Sequence, residues 1–172
     1  MRMSSNYKFM LQLGGLATLL NMLLHLAVAW VLWHDKENVP LWGKASMVSF
    51  MFIGGGLAGF IVGYVVTKAT RYALLKRWVF PLHWHLKSQT LIDRLPRRIF
   101  YRSFMLALSG VLFAFITLLC FKALNLTTLA APEFLIFISL LAFLLASTVT
   151  VMAFYRALGD GTYLRSKMQL IK

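Results

Sequence analysis

Three groups of residues in this 172-residue chain have types and spacings that bear on chemistry. The first is Thr18, Asn21 and His25, whose spacings of three and four put them on one face of a helix, with Gly14 one turn earlier. They sit inside a long apolar run, and polar residues at such depth face the interior of a bundle. Two roles are open to them. His25 acts as a proton-relay or ligand residue oriented by Asn21, or it is a neutral histidine hydrogen-bonded to a neighbouring helix. A single uncharged cluster does not specify a path, so the structural role is the expectation.

The second group is His83-Trp84-His85, after Pro81. Two histidines one residue apart share a metal in an extended segment but not on one helix face. No Cys, Asp or Glu adjoins them, and a structural zinc takes four ligands. No metal site is expected. The third group is the acids Asp35, Glu37, Asp93, Glu133 and Asp160, all outside the apolar runs, with no two placed as a buried pair. There is no P-loop, HExxH or GxSxG. The chain is therefore expected to be non-enzymatic, with no catalytic residue, cofactor or metal. Lys122 and Glu133 flank a short loop and are expected to pair across it at ~0–1 kcal/mol. The lone Cys120 lies in an apolar run and is expected as a small buried hydrophobe.

The elements that must position these residues follow from composition. The chain is 60% hydrophobic and 13% charged, whereas a soluble domain is about half apolar and about a quarter charged. So much apolar surface needs a bilayer to cover it. Four runs, 10–33, 45–67, 99–121 and 134–154, reach the ~20 residues needed to cross a ~30 Å hydrocarbon layer. The first is too long for a signal peptide and reads as a retained span. Backbone groups in hydrocarbon must be satisfied internally, which makes the spans helices. Arg102, near the start of the third, is expected to snorkel to the interface. The fold class is an all-α integral membrane protein, a single four-transmembrane-helix bundle, arranged as two tandem two-helix hairpins. That arrangement reflects a short proline-containing loop (Pro40, Pro132) in each half. It also reflects an offset of 87 that sets Gly55, Gly59 and Gly63 on Ala142, Ala146 and Thr150.

Charge gives the orientation. Net charge is +13, and of 18 Lys+Arg only Lys36, Lys44 and Lys122 fall in the two short loops. The positive-inside rule places both termini and the basic loop 68–98 in the cytoplasm. Bacterial inner membrane fits the compactness and charge bias. Within and beside that loop, Lys68, Arg71, Lys76, Arg77, Trp78, Trp84, Lys87, Arg94, Arg97 and Arg98 mix cations with aromatics, a composition suited to the headgroup layer. These residues are expected to contact anionic lipid or a protein partner; nucleic acid is not expected. Gly55, Gly59 and Gly63 form a double GxxxG ridge for close helix packing, joined by Ala142 and Ala146, against either the fourth span or another subunit.

The stretch YKFMLQLGGLATLLNMLLHL, followed by four spans and RWVF at Arg77–Phe80, resembles the GtrA-like proteins. Those are small four-span membrane proteins linked to flipping of polyprenyl-phosphate sugars. The long basic middle loop departs from that pattern, and no residue role is carried over. Two functions remain as expectations. One is a subunit or scaffold of a membrane assembly. The other is a small oligomeric transporter, channel or flippase with the polar face of the first span lining the path. The orientation is tested by single cysteines in intact cells. Substitutions at Glu37 and Thr128 should react with an impermeant thiol reagent and one at Ser88 should not; labelling at Ser88 reverses the orientation.

Overall fold

The computed structural model describes residues 2–81 and 94–160. Its elements, in chain order, are α1 (Arg2–Trp33), β1 (Asn38–Pro40), α2 (Met47–Leu75), α3 (Ile99–Ala123), β2 (Thr128–Ala130) and α4 (Ala131–Leu158). All four helices are long and apolar enough to cross a membrane. Expected residues Trp84 and Lys87, together with His83 and His85, lie outside the described residues.

Each helix outruns its apolar run. An apolar count measures hydrocarbon thickness, while the backbone ladder continues into the polar layer as long as nothing breaks it. Thus α2 carries on through Lys68 and Arg71 to Leu75, and α4 through Arg156 to Leu158. The starts and stops are local chemistry. Ser46 caps α2, its hydroxyl accepting from Ser49 N at 3.3 Å. Pro132 sits in the first turn of α4 with Glu133, where a proline costs no hydrogen bond and a carboxylate complements the helix dipole. Helices α2 and α3 end alike. Arg77 and Asn125 take positive φ (61° and 54°), and the next residue donates back five positions, Trp78 N to Ala73 O and Leu126 N to Phe121 O.

The two short loops, read from sequence as plain connections, contain paired strands. β1 and β2 are antiparallel with Val39 opposite Leu129. Leu41 N to Thr127 O and Ala131 N to Glu37 O extend the ladder at 2.9 Å each. This end of the bundle is the strand end; the other, near the α2–α3 connection, is the basic end. Below the strands Trp33, Met47, Met51, Phe134 and Ile138 form one core, with Trp33 edge-on to Phe134 at 5.1 Å. Towards the basic end Val66, Leu106, Val149, Ala153, Phe154 and Leu158 form a second.

The helices do not pack as hairpins. α1 lies against α4, α2 against α3, and α2 against α4, while α1–α2 and α3–α4 touch sparsely. The cause is the small residues. A Cβ on Gly55 would stand 2.9 Å from Gly110 O, and one on Gly59 would stand 2.5 Å from Leu106 O. The glycine ridge is therefore spent on α3, neither on α4 nor outside the chain. The face 87 residues on receives α1 in the same manner. Asn21 Nδ2 donates to Ala142 O at 3.0 Å, Thr18 Oγ1 lies 3.5 Å from Ser147 Oγ, and a Cβ on Gly14 would meet Thr150 at 3.1 Å. Ala142 and Ala146 are both buried.

Three smaller expectations are corrected. Arg102 does not snorkel; it is fully buried, for a reason given below. Cys120 is exposed on the outer face of α3, since the buried stripe of that helix runs through Ala114, Leu118 and Phe121. No ion pair joins Lys122 to Glu133 among the described residues.

The close α2–α3 contact makes a prediction. Gly59→Leu drives a side chain into the α3 backbone and should cost about 3 kcal/mol or more. Gly54→Leu meets the end of the His25 ring, 3.0 Å from an added Cβ, and should cost less because a ring can turn. Thermal unfolding in mild detergent compares them; equal losses remove the argument for a specific face.

Candidate functional site

Because α2 is drawn onto α3 and α1 onto α4, a groove of about 550 Å³ opens between α1 and α2. Along α2 it runs between Ser46 and Val65, roughly 28 Å at the α-helical rise. Its walls are apolar, with Leu20, Leu24 and Val28 on α1 facing Ile53, Leu57 and Ile61 on α2. Such a volume is that of a ligand pocket, and such a length approaches the ~30 Å of a hydrocarbon core. Lys44, Ser46 and Ser49 stand at the strand-end mouth. One turn past Val65 on the same face of α2, Lys68 is exposed with its Nζ 6.0 Å from the Tyr64 ring.

The expected polar set lies at the groove's floor. Asn21 and His25 both line it, while Thr18 is buried against α4. Asn21, rather than His25, makes the bond to the neighbouring helix. His25 Nδ1 lies 2.9 Å from the backbone O of Asn21 on its own helix. A carbonyl only accepts, so Nδ1 carries a proton and, in the neutral ring, Nε2 presents a lone pair. That nitrogen has no hydrogen-bond partner among the described residues, and the missing side chain of Gly54 leaves it uncovered. The histidine is only 9% exposed. The floor is thus a buried acceptor held at fixed orientation inside an otherwise apolar trough.

A second cluster closes the basic end. The carboxylate of Asp160, just past α4, is 2% exposed and takes three guanidinium groups. Arg71 of α2 reaches Oδ2 at 2.6 Å, Arg102 of α3 reaches it at 2.7 Å, and Arg156 of α4 reaches Oδ1 at 3.1 Å. The remaining donors turn to the backbone that leads into α3. Arg156 Nε binds Leu95 O at 2.8 Å, Arg102 Nε binds Pro96 O at 3.0 Å, and Arg71 Nη2 binds Arg97 O. Arg102 Nη1 is buried with no hydrogen-bond partner among the described residues. Among the described residues one carboxylate therefore faces three cations, a surplus of two positive charges.

This node accounts for Arg102 and corrects the expectation for Arg71, which points inward rather than at lipid. Charges in a poorly hydrated site must be paired, and Asp160 is where the pairing occurs. Sequence reasoning passed over Asp160 and Arg156. Their i, i+4 spacing at a helix end was the available signal. The other expected contact residues are exposed at the same end: Lys68, Lys76, Arg77, Trp78, Arg94, Arg97 and Arg98. Lys76 lies 5.8 Å from the Tyr72 ring and Arg98 5.9 Å from that of Tyr101. Val79 is buried and Phe80 is clamped to α1. Phe80 N donates to Asn6 Oδ1 at 2.8 Å, and Asn6 Nδ2 donates to Phe80 O at 2.9 Å. Among the described residues no group of His, Cys, Asp and Glu is placed to hold a metal.

No family model, curated protein or solved structure matches the chain. The likeness to GtrA-like proteins thus rests on the residues quoted for it alone.

Removing the one carboxylate that the described residues place in the node should be costly. Asp160→Ala leaves three guanidinium groups facing one another and should lower stability by about 3–5 kcal/mol. Thermal unfolding measures it, with Glu133→Ala, an exposed carboxylate, as the control that should change little.

Proposed function

We propose that this protein is a non-enzymatic, four-span membrane transporter of the flippase type, which takes the chain of an amphiphile between α1 and α2. The observation that carries the reading is the α1–α2 groove, long, apolar and floored by Asn21 and His25. A bilayer-length apolar trough suits a hydrocarbon chain, and a polar foothold at half depth lowers the cost of moving a polar group past the middle. In this reading the helices cross the bilayer with both termini and the basic end in the cytoplasm of a bacterial cell. The distribution of Lys and Arg supports that orientation. Anionic lipid then lies against Lys68, Lys76, Arg77 and Arg98, at about 1 kcal/mol for each cation near the surface.

The rival reading is a subunit or scaffold in a membrane assembly. It needs a docking face, and its best candidate was the glycine ridge, which α3 covers. What remains to it is the exposed basic end.

The two readings part in reconstituted vesicles. Wild-type protein should speed the transfer of a chain-labelled fluorescent phospholipid between leaflets at least tenfold over protein-free vesicles. Leu57→Trp fills the trough from an exposed position and should remove that transfer while leaving thermal stability unchanged. His25→Ala should slow transfer, and His25→Gln should restore part of it by returning an acceptor. Equal rates with and without protein favour the scaffold.

A further inference from the structure

The surplus charge of the Asp160 node points to a ligand distinct from the contents of the groove. Three guanidinium groups converge on one carboxylate, and the described residues supply no second anion. Arg102 is fully buried, and its Nη1 has no partner among the described residues. Arg71 and Arg156 keep 15% and 10% of their side chains accessible, so the described residues do not seal the node. A guanidinium is a planar fork whose paired N–H groups match the oxygens of a phosphate. Buried charge without a counter-charge is unfavourable, and a phosphate group carries the one or two negative charges that three arginines and one aspartate leave unmatched.

We propose that Arg71, Arg102 and Arg156 form a binding site for a phosphate group, docked from the basic end beside Asp160 and held as a fixed part of the folded protein. The phosphate is either the headgroup of an anionic phospholipid or a free phosphate ion. The ligand shares the arginines with Asp160 and does not replace it, because the carboxylate fixes where the three side chains meet. No bond is made or broken.

The test is thermal unfolding of the full chain under three conditions: in neutral phosphatidylcholine nanodiscs, in the same discs with added inorganic phosphate, and in discs containing phosphatidic acid. The proposal expects stabilisation by at least one phosphate source. Stabilisation by inorganic phosphate identifies the free ion as sufficient; stabilisation by phosphatidic acid alone identifies the lipid headgroup. Arg71→Gln should reduce the ligand concentration dependence at least tenfold, whereas Lys36→Gln, an exposed cation at the strand end, should leave it unchanged. Should Arg71→Gln fail to fold, Asp160→Asn keeps the test open. With the carboxylate neutralised the node gains a further net positive charge, so this variant should be less stable without phosphate and recover more stability with it than the wild type does. No response to either source in the wild type and Asp160→Asn, or equal losses from Arg71→Gln and Lys36→Gln, overturns the proposal.

Discussion

The architecture depends on one contact, the approach of the α2 backbone to the α3 backbone at Gly55 and Gly110. Neither position tolerates a side chain, because a Cβ on either meets a carbonyl of the other. In hydrocarbon no hydrophobic drive pulls helices together, so dispersion between close backbones decides who pairs with whom. Gly55, Gly59 and Gly63 settle that choice in favour of α3. The equivalent small face of α4 takes α1, reinforced by Asn21 on Ala142 O. Once both small faces are occupied, α1 and α2 face each other largely through Leu20, Leu24, Ile53, Leu57 and Ile61, and the groove is what remains between them.

The Asp160 node reinforces the same asymmetry. It ties α2, α3 and α4 at the basic end and leaves α1 out. α1 is held by Asn21 at mid-depth, by Ser5 and Asn6 on the segment after α2, and by Trp33 in the strand-end core. Those ties fix α1 to α4 and to both ends of the molecule, while α1 meets the flank of α2 along the trough through ring contacts of His25 and Trp33 with Phe50. Motion that widens or narrows the groove therefore breaks few contacts, whereas motion of α2 against α3 breaks the tightest ones. The β1–β2 pair joins the two loops at the strand end, so the three firmly tied helices behave as a frame.

Much of the helical framework was legible in the sequence, and its packing only in part. Run length and the absence of central charges located four helices, because a bilayer leaves few alternatives for an apolar run. The ends were misjudged since backbone hydrogen bonding does not stop where hydrocarbon does, as Lys68 and Arg71 within α2 show. The glycine ridge was visible as a packing face, but not its partner, since spacing gives the face and not the neighbour. Thr18, Asn21 and His25, placed on one face by their spacing, are buried. That Asn21 makes the interhelical bond while His25 bonds its own helix depends on side-chain geometry that spacing does not encode. The node was hidden because Asp160 lies beyond the last apolar run and Arg102 looked like an ordinary interfacial cation. Only folding brings residues 58 apart onto one carboxylate.

The central claim is that the α1–α2 trough, and no other outward face of the bundle, holds an amphiphile chain. Photo-crosslinking in native membranes tests it most directly, with a leucine-sized diazirine amino acid placed at Leu57 in the trough or at Leu112 on the exposed face of α3. Mass spectrometry of the adducts should show one narrow set of lipid species at Leu57, saturable and lost when Gly54 is replaced by Phe, against the bulk lipid mixture at Leu112. The same unselected lipid mixture at both positions would contradict the account.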